Sequence, residues 1–303
     1  MDNVLTVVAP GAGGVSGKTA ADVSDALRDL GAEPRAAEWL APEQAFDILY
    51  AGSTGGIGPA TAEVTAGLED LSTALGVDIA AQAAATRRKD LLIADMDSTM
   101  ITGETLDELA DYAGLGQEVA AITERAMRGE ILFRDALAER VAMLEGLAAE
   151  TMVAVADAII YSPGAEALVR TMSVAGAKTA LVSGGFGFFT ERVAAHLGFA
   201  LNKGNRIEIA EGRLTGRVVP PIVTKDVKRD ILIDIASWNA IPLARTLAVG
   251  DGANDVPMIR RAGLGVAYRG KPALRDAADA IVSHCDLTAL LYFQGYGLEA
   301  ISS

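Results

Sequence analysis

Five short apolar runs, at residues 91–94, 179–182, 246–249, 264–267 and 280–282, are separated from one another by helical or loop sequence. Each is too short for a helix and apolar at every position or nearly so. Such runs read as parallel strands buried on both faces, and the intervening chain supplies the crossovers of an α/β sheet. Half of the residues are hydrophobic, enough to cover both faces of that sheet. Between the first two runs, about residues 105–160 lack strand signals and read as a helical cap inserted after the first strand. A hairpin is expected at 206–219, turning at Glu211-Gly212.

Residues 1–85 follow a different plan. A short apolar strand at 4–8 precedes a helix at 18–30, whose Ala21, Val23, Ala26, Leu27 and Leu30 share a face and which stops at Gly31. Strand signals fill 38–50, and a second helix at 60–75 ends at Gly76. The order suggests a β-α-β-β-α-β unit, ferredoxin-like or ACT-like, regulatory or dimerising in role. The charged stretch 86–90 divides it from a second domain, 86–303.

The net charge is −14 and the sequence pI about 4.6. A diffuse acidic surface argues against nucleic acid and anionic membranes as partners. An anionic substrate would then need positive charge concentrated locally. Cys285 is the one cysteine, which excludes an intrachain disulfide. No signal-peptide pattern and no apolar run of about 20 residues occurs, so a cytoplasmic location is expected. His196 and His284 are read as structural.

Three of the strand ends carry polar motifs. The first ends in Asp95-Met96-Asp97-Ser98-Thr99, the second in Ser183-Gly184-Gly185, and the third in Gly250-Asp251-Gly252-Ala253-Asn254-Asp255. Ligands of open parallel sheets sit beyond the carboxyl ends of strands. A hydroxyl followed by glycine N–H groups suits phosphate oxygens, and clustered carboxylates suit a hard cation such as Mg²⁺. Taken singly, Asp-x-Asp is also an ordinary turn, and Lys228, near the start of a helical run, is also an ordinary solvated lysine.

Taken together, the three motifs and Lys228 resemble those of haloacid dehalogenase-type phosphatases, and over residues 91–290 those of the phosphoserine phosphatase family among them. The wider matching strings include Glu104, Asp107-Glu108-Leu109-Ala110 and Ala126-Met127-Arg128-Gly129-Glu130. The resemblance implies Mg²⁺-dependent hydrolysis of phosphoserine, with Asp95 as nucleophile and Asp97 as general acid and base. It implies Mg²⁺ on the Asp95 carboxylate, the Asp97 carbonyl and Asp251, with Asp255 supporting the metal. Ser183, Gly184 and Lys228 would hold the phosphoryl group. Glu104, Met127, Phe133, Arg140 and Asn254 would complete the substrate site, with Glu104 on the ammonium and Arg140 on the carboxylate.

Helical spacing places Phe133, Leu137, Arg140 and Leu144 on one face, where an arginine needs a partner. Glu139 or Glu145 is the alternative to a substrate carboxylate. The segment 201–206 departs from the short connection expected before the hairpin, leaving its length open. The string Ala12-Gly13-Gly14-Val15-Ser16-Gly17-Lys18-Thr19 fits a relaxed phosphate-binding P-loop, with a plain β-α connection as the alternative. Two other functions compete: a phosphatase or phosphotransferase for another small phosphomonoester, and a non-catalytic amino-acid sensor. Homodimer formation is a further expectation.

Overall fold

The computed structural model describes residues 2–52, 59–127 and 130–302. In the N-terminal module, β1 (Asn3–Val8) leads to α1 (Gly17–Asp29), β2 (Ala32–Pro34), β3 (Glu38–Ala41) and β4 (Ala45–Gly52). Helices α2 (Thr61–Gly67) and α3 (Glu69–Leu75) then precede β5 (Asp78–Ala83). The sheet order is β2-β4-β1-β5, with β3 paired to β4 and every pairing antiparallel. That is the split β-α-β arrangement of a ferredoxin-like unit. Ala20, Val23 and Leu27 form the buried stripe of α1, which Ser16 caps by accepting the Thr19 N–H at 3.3 Å.

This settles the glycine-rich string. It opens a helix beside an antiparallel sheet, not a parallel one, and Lys18 is exposed. The helix expected over 60–75 is divided at Leu68, and the strand at 32–34 gave no signal in the sequence.

The second sheet has the order β12-β11-β10-β6-β7-β8-β9. Its first strand, β6 (Leu91–Ala94), is followed by the cap: α4 (Thr105–Tyr112), α5 (Gly116–Met127), α6 (Phe133–Ala142) and α7 (Glu150–Asp157). After α8 (Ala165–Val174) come β7 (Lys178–Phe186), α9 (Gly187–Leu197), β8 (Leu201–Ala210), β9 (Arg213–Val219) and α10 (Lys225–Trp238). The chain closes with β10 (Thr246–Gly250), α11 (Val256–Ile259), β11 (Leu264–Tyr268), α12 (Pro272–Arg275), β12 (Ala280–Val282) and α13 (Ala289–Phe293). Only the β8–β9 pair is antiparallel. β6 is buried on both sides: Leu92 and Ala94 join one core cluster, Leu91 and Ile93 the other. This explains its unbroken apolar sequence.

The segment 201–206 is not a loop. It forms the first half of β8, which runs parallel to β7 and then turns back as the hairpin. Glu211 and Gly212, both at positive φ (50° and 73°), make the tight turn. The hairpin is bonded into the cap, with Gly146 N–H on Leu214 O and Ala149 N–H on Gly212 O.

The N-terminal module is joined to the core by buried polar contacts. The Asp78 carboxylate accepts the successive backbone N–H groups of Ser283, His284 and Cys285. Arg87 pairs with buried Asp47, and Gln82 donates to Phe293 O at 2.7 Å. Val8, Ala41, Ala45 and Ala80 of the module belong to the same apolar cluster as residues of the second domain. No helix among the described residues is long and apolar enough to cross a membrane.

Candidate active site

The sheet order places β10, β6 and β7 side by side. Adjacent parallel strands lie about 4.8 Å apart, so the three polar strand ends must meet at one edge. They do. A cavity of about 140 Å³ at that edge is lined by Asp95, Asp97, Ser183, Gly184, Asp251 and Asn254 from the core. Glu104, Phe133 and Arg140 close it from the cap side. A larger cleft, about 410 Å³, lies at the seam between module and core, and none of the motif residues lines it.

Beneath the cavity the carboxylates of Asp95, Asp251 and Asp255 are buried, with one oxygen of each within 4.8 Å of the others. Lys228, 1% exposed, reaches them from the first turn of α10. Its ammonium stands 2.7 Å from Asp95 Oδ2 and 2.7 Å from Asp255 Oδ1. The solvated-lysine alternative is thereby excluded. Burial alone would lower the Lys228 pKa, but the charges of Asp255 and Asp95 outweigh it and raise it. Burial, then the Asp95 charge, pushes Asp251 and Asp255 above the usual carboxylate range. Three crowded acidic groups face two ammonium groups, Lys228 and the half-exposed Lys271 at 3.2 Å from Asp251, and so remain short of positive charge; their hard oxygen donors fit a divalent cation.

Glycines make the crowding feasible. A Cβ on Gly250 would stand 2.5 Å from the Asp255 carboxyl, and one on Gly252 would stand 2.4 Å from Asn254 Oδ1. Asn254 Nδ2 donates to Asp95 Oδ2 at 3.1 Å. Asp255, expected only behind the metal, has its carboxylate within the cluster itself.

Asp97 faces the cavity from the irregular turn after β6. Its Oδ1 accepts the Thr105 N–H at 2.9 Å, and its Oδ2 accepts from Ser183 Oγ at 3.1 Å. Enclosure of its carboxyl in protein, together with the Asp95 charge, raises its pKa to about 6, against the opposing Thr105 and Ser183 hydrogen bonds. A carboxyl raised that far exchanges its proton closer to neutrality than an ordinary aspartate, as a group that both gives and takes a proton requires.

On the cap side, Glu104 Oε1 accepts from Ser98 Oγ at 2.7 Å. Phe133 packs over the Ser183–Gly185 segment: a Cβ on Gly184 would stand 3.2 Å from its Cζ. Arg140 does not pair with Glu139, which is bonded to Arg125 instead. Its Nη1 donates to Thr123 Oγ1 at 3.3 Å, and its buried Nε has no acceptor among the described residues. Met127 ends α5, and its side chain lies outside those described, as do Arg128 and Gly129.

Lys271 was not singled out from sequence. It also lines the cavity, with its ammonium 3.2 Å from Asp251 Oδ2. Its one signal was its place just after the end of an apolar strand. His196 stacks on Tyr161 at 4.0 Å, away from the cavity lining.

A mostly parallel α/β sheet with an Asp-x-Asp turn after one strand, a hydroxyl-glycine segment on the next and an acidic cluster on the same edge defines a class. The family model of haloacid dehalogenase-like hydrolases matches residues 92–260, and the chain belongs to that family. Within it, the chain is 46% identical to a phosphoserine phosphatase of Archaeoglobus fulgidus, over 76% of this chain and 67% of that one. It is 45% identical to a phosphoserine phosphatase of Mycobacterium tuberculosis, over 72% of this chain and 54% of that one. It therefore spans between about half and two thirds of the length of these two relatives. The crystal structure of a probable phosphoserine phosphatase from Vibrio cholerae superposes with a TM-score of 0.76 at 30% identity, covering 99% of this chain and 88% of that one.

Proposed function

We propose that the chain hydrolyses O-phosphoserine to serine and phosphate. One observation carries the substrate reading. Opposite the Asp95 edge, a single small cavity presents the carboxylate of Glu104 and the guanidinium of Arg140. A phosphomonoester bearing both an ammonium and a carboxylate matches that pair of charges. The unpartnered Nε of Arg140 adds weight. A buried donor left unpaired costs about 1–3 kcal/mol, which a ligand carboxylate would remove.

In the mechanism, Asp95 attacks phosphorus in line and forms an aspartyl-phosphate while the serine oxygen leaves. Asp97 gives that oxygen its proton. It then takes a proton from the water that attacks the aspartyl-phosphate, releasing phosphate and restoring both carboxyl groups. Ser183, the Gly184 N–H and Lys228 hold the phosphoryl oxygens and offset the repulsion between an anionic nucleophile and an anionic substrate. Mg²⁺, held by Asp95, Asp251 and the Asp97 carbonyl with Asp255 and Asn254 in support, would supply electrophilic stabilisation of the phosphoryl group. The acidic surface would then matter little, because positive charge is concentrated where phosphate binds.

The test is phosphate release from a panel of phosphomonoesters, with Mg²⁺ and with chelator. Phosphoserine should be preferred over phosphoethanolamine, which lacks the carboxylate, and chelation should stop turnover. Equal rates across the panel would refute the substrate reading. Sedimentation of the purified chain tests the homodimer, which we propose forms through the N-terminal module.

A further inference from the structure

The β7–β8 ladder is interrupted where the phosphate loop lies. Val182 pairs with Lys203 and Phe186 with Asn205, so Ser183, Gly184 and Gly185 face the single residue Gly204. The three loop residues bulge out of the sheet. Something other than the ladder must fix their peptide planes. The strands are too close for a side chain at the crossing: a Cβ on Gly204 would stand 2.7 Å from Gly187 N. The next residue, Asn205, is 1% exposed.

Both ends of its amide are engaged. Asn205 Nδ2 donates to Gly184 O at 2.7 Å, and Asn205 Oδ1 accepts the Val223 N–H at 2.7 Å. The two partners belong to different halves of the phosphate site. Gly184 O and Gly185 N–H share one trans peptide unit and point in opposite directions. Holding the carbonyl therefore aims the Gly185 N–H, which donates to Ser183 Oγ at 2.8 Å. Ser183 Oγ in turn donates to Asp97 Oδ2. On the other side, Val223 precedes Thr224, the residue that opens α10, and the Lys228 N–H bonds to Thr224 O at 3.0 Å.

We infer that Asn205 is a positioning residue for phosphoryl transfer, clamping the Ser183–Gly185 loop and the start of the Lys228 helix in register. The inference rests on the proposed phosphatase reading. It adds a residue that touches no substrate and acts through two others. A bifunctional amide is required. Alanine removes both bonds. Aspartate keeps the acceptor for Val223 but loses the donor to Gly184 and sets a carboxylate against a carbonyl oxygen.

The experiment compares full-length wild type, N205A, N205D and T190A. Thr190, on α9, donates to Oδ1 of Asn202 at 3.1 Å, on the same strand as Asn205, and serves as a structural control. Readouts are kcat and KM for phosphoserine and p-nitrophenyl phosphate, inhibition by inorganic phosphate, Mg²⁺ affinity by calorimetry without substrate, and Tm. N205A and N205D should each lose at least about 10-fold in kcat/KM, with kcat taking a large share. Inhibition by phosphate should weaken alongside, while Mg²⁺ affinity stays within about two-fold. T190A should keep its kinetic constants even where its Tm falls. Should N205A not fold, N205D decides. The idea is overturned if folded N205D keeps kcat and phosphate inhibition within about two-fold of wild type, or if T190A loses activity equally. A wild type that cleaves p-nitrophenyl phosphate but not phosphoserine would refute the proposed substrate while leaving the Asn205 comparison readable on the aryl ester.

Discussion

The Lys228 ammonium lies 2.7 Å from Asp95 Oδ2, with 1% of the lysine side chain and 5% of the aspartate side chain exposed. A helix start and a strand end, distant in sequence, thus share one dry contact. A second carboxylate, Asp255, takes another 2.7 Å contact from the same nitrogen.

Removing that cation should be costly twice over. Lys228→Met leaves Asp95 and Asp255 facing each other without a counter-ion. Breaking a buried pair from one side costs roughly 3–5 kcal/mol, so metal-free urea denaturation should show a loss of that order. Added Mg²⁺ should restore part of the stability by mass action, while turnover stays at least about 100-fold down.

Asp97→Asn keeps the shape of the side chain but cannot exchange a proton. Loss of general acid and base catalysis should lower kcat for phosphoserine by about 10²–10⁴. A p-nitrophenolate leaving group needs no proton, so the first step on that ester should suffer less. The aspartyl-phosphate on Asp95 should then accumulate and appear as a phosphate adduct in intact-protein mass spectra. Asp95→Asn should give neither turnover nor adduct.

Glu104→Gln and Arg140→Ala should act on selectivity. Each should reduce kcat/KM for phosphoserine by about 10- to 100-fold, a loss of 1.4–2.7 kcal/mol of transition-state binding. Hydrolysis of p-nitrophenyl phosphate, which has neither charged group, should change by less than about three-fold. Arg140→Lys should not rescue, because a point-charge ammonium does not reproduce the guanidinium fork.

Cys285 gives a pH-dependent outcome remote from the site. Its thiol is 3% exposed, donates to Val8 O at 3.3 Å, and lies beside the Asp78 carboxylate. Burial, then the Asp78 charge, raises its pKa well above the free-thiol value of 9.0. A raised acid favours the folded state fully below the unfolded pKa, and that contribution is lost as pH climbs beyond 9.0. Thermal melts from pH 8 to 10 should fall more steeply for wild type than for Cys285→Ala. In native protein the thiol should resist alkylation at neutral pH and react on unfolding.

Much of the core could be read from the chain because its signals are local. Residues 91–94 and 280–282 form strands over the stretches where apolar runs were seen. Asp95, Asp97 and Asp251 lie just past strand ends, and Ser183 lies in the last four residues of β7, which runs on to Phe186 beyond the apolar run at 179–182, so their adjacency follows once the strands lie parallel. Other features were not local. The parallel half of β8, at Leu201 and beyond, is only intermittently buried and carries little apolar signal, so it read as a loop. The break at Leu68, and the strand at 32–34 that pairs with β4, are too short to leave a period.

Sequence alone determined the set of reactive groups and the order in which the chain presents them, because side-chain chemistry and short-range periodicity are properties of neighbours. Tertiary structure decided which groups meet. The order β10-β6-β7 brought three strand ends to one edge, buried Lys228 among carboxylates, set Lys271 against Asp251, and gave Asn205 both of its partners. Those pairings depend on contacts made across the sheet between residues far apart in the chain, where neither spacing nor composition carries information.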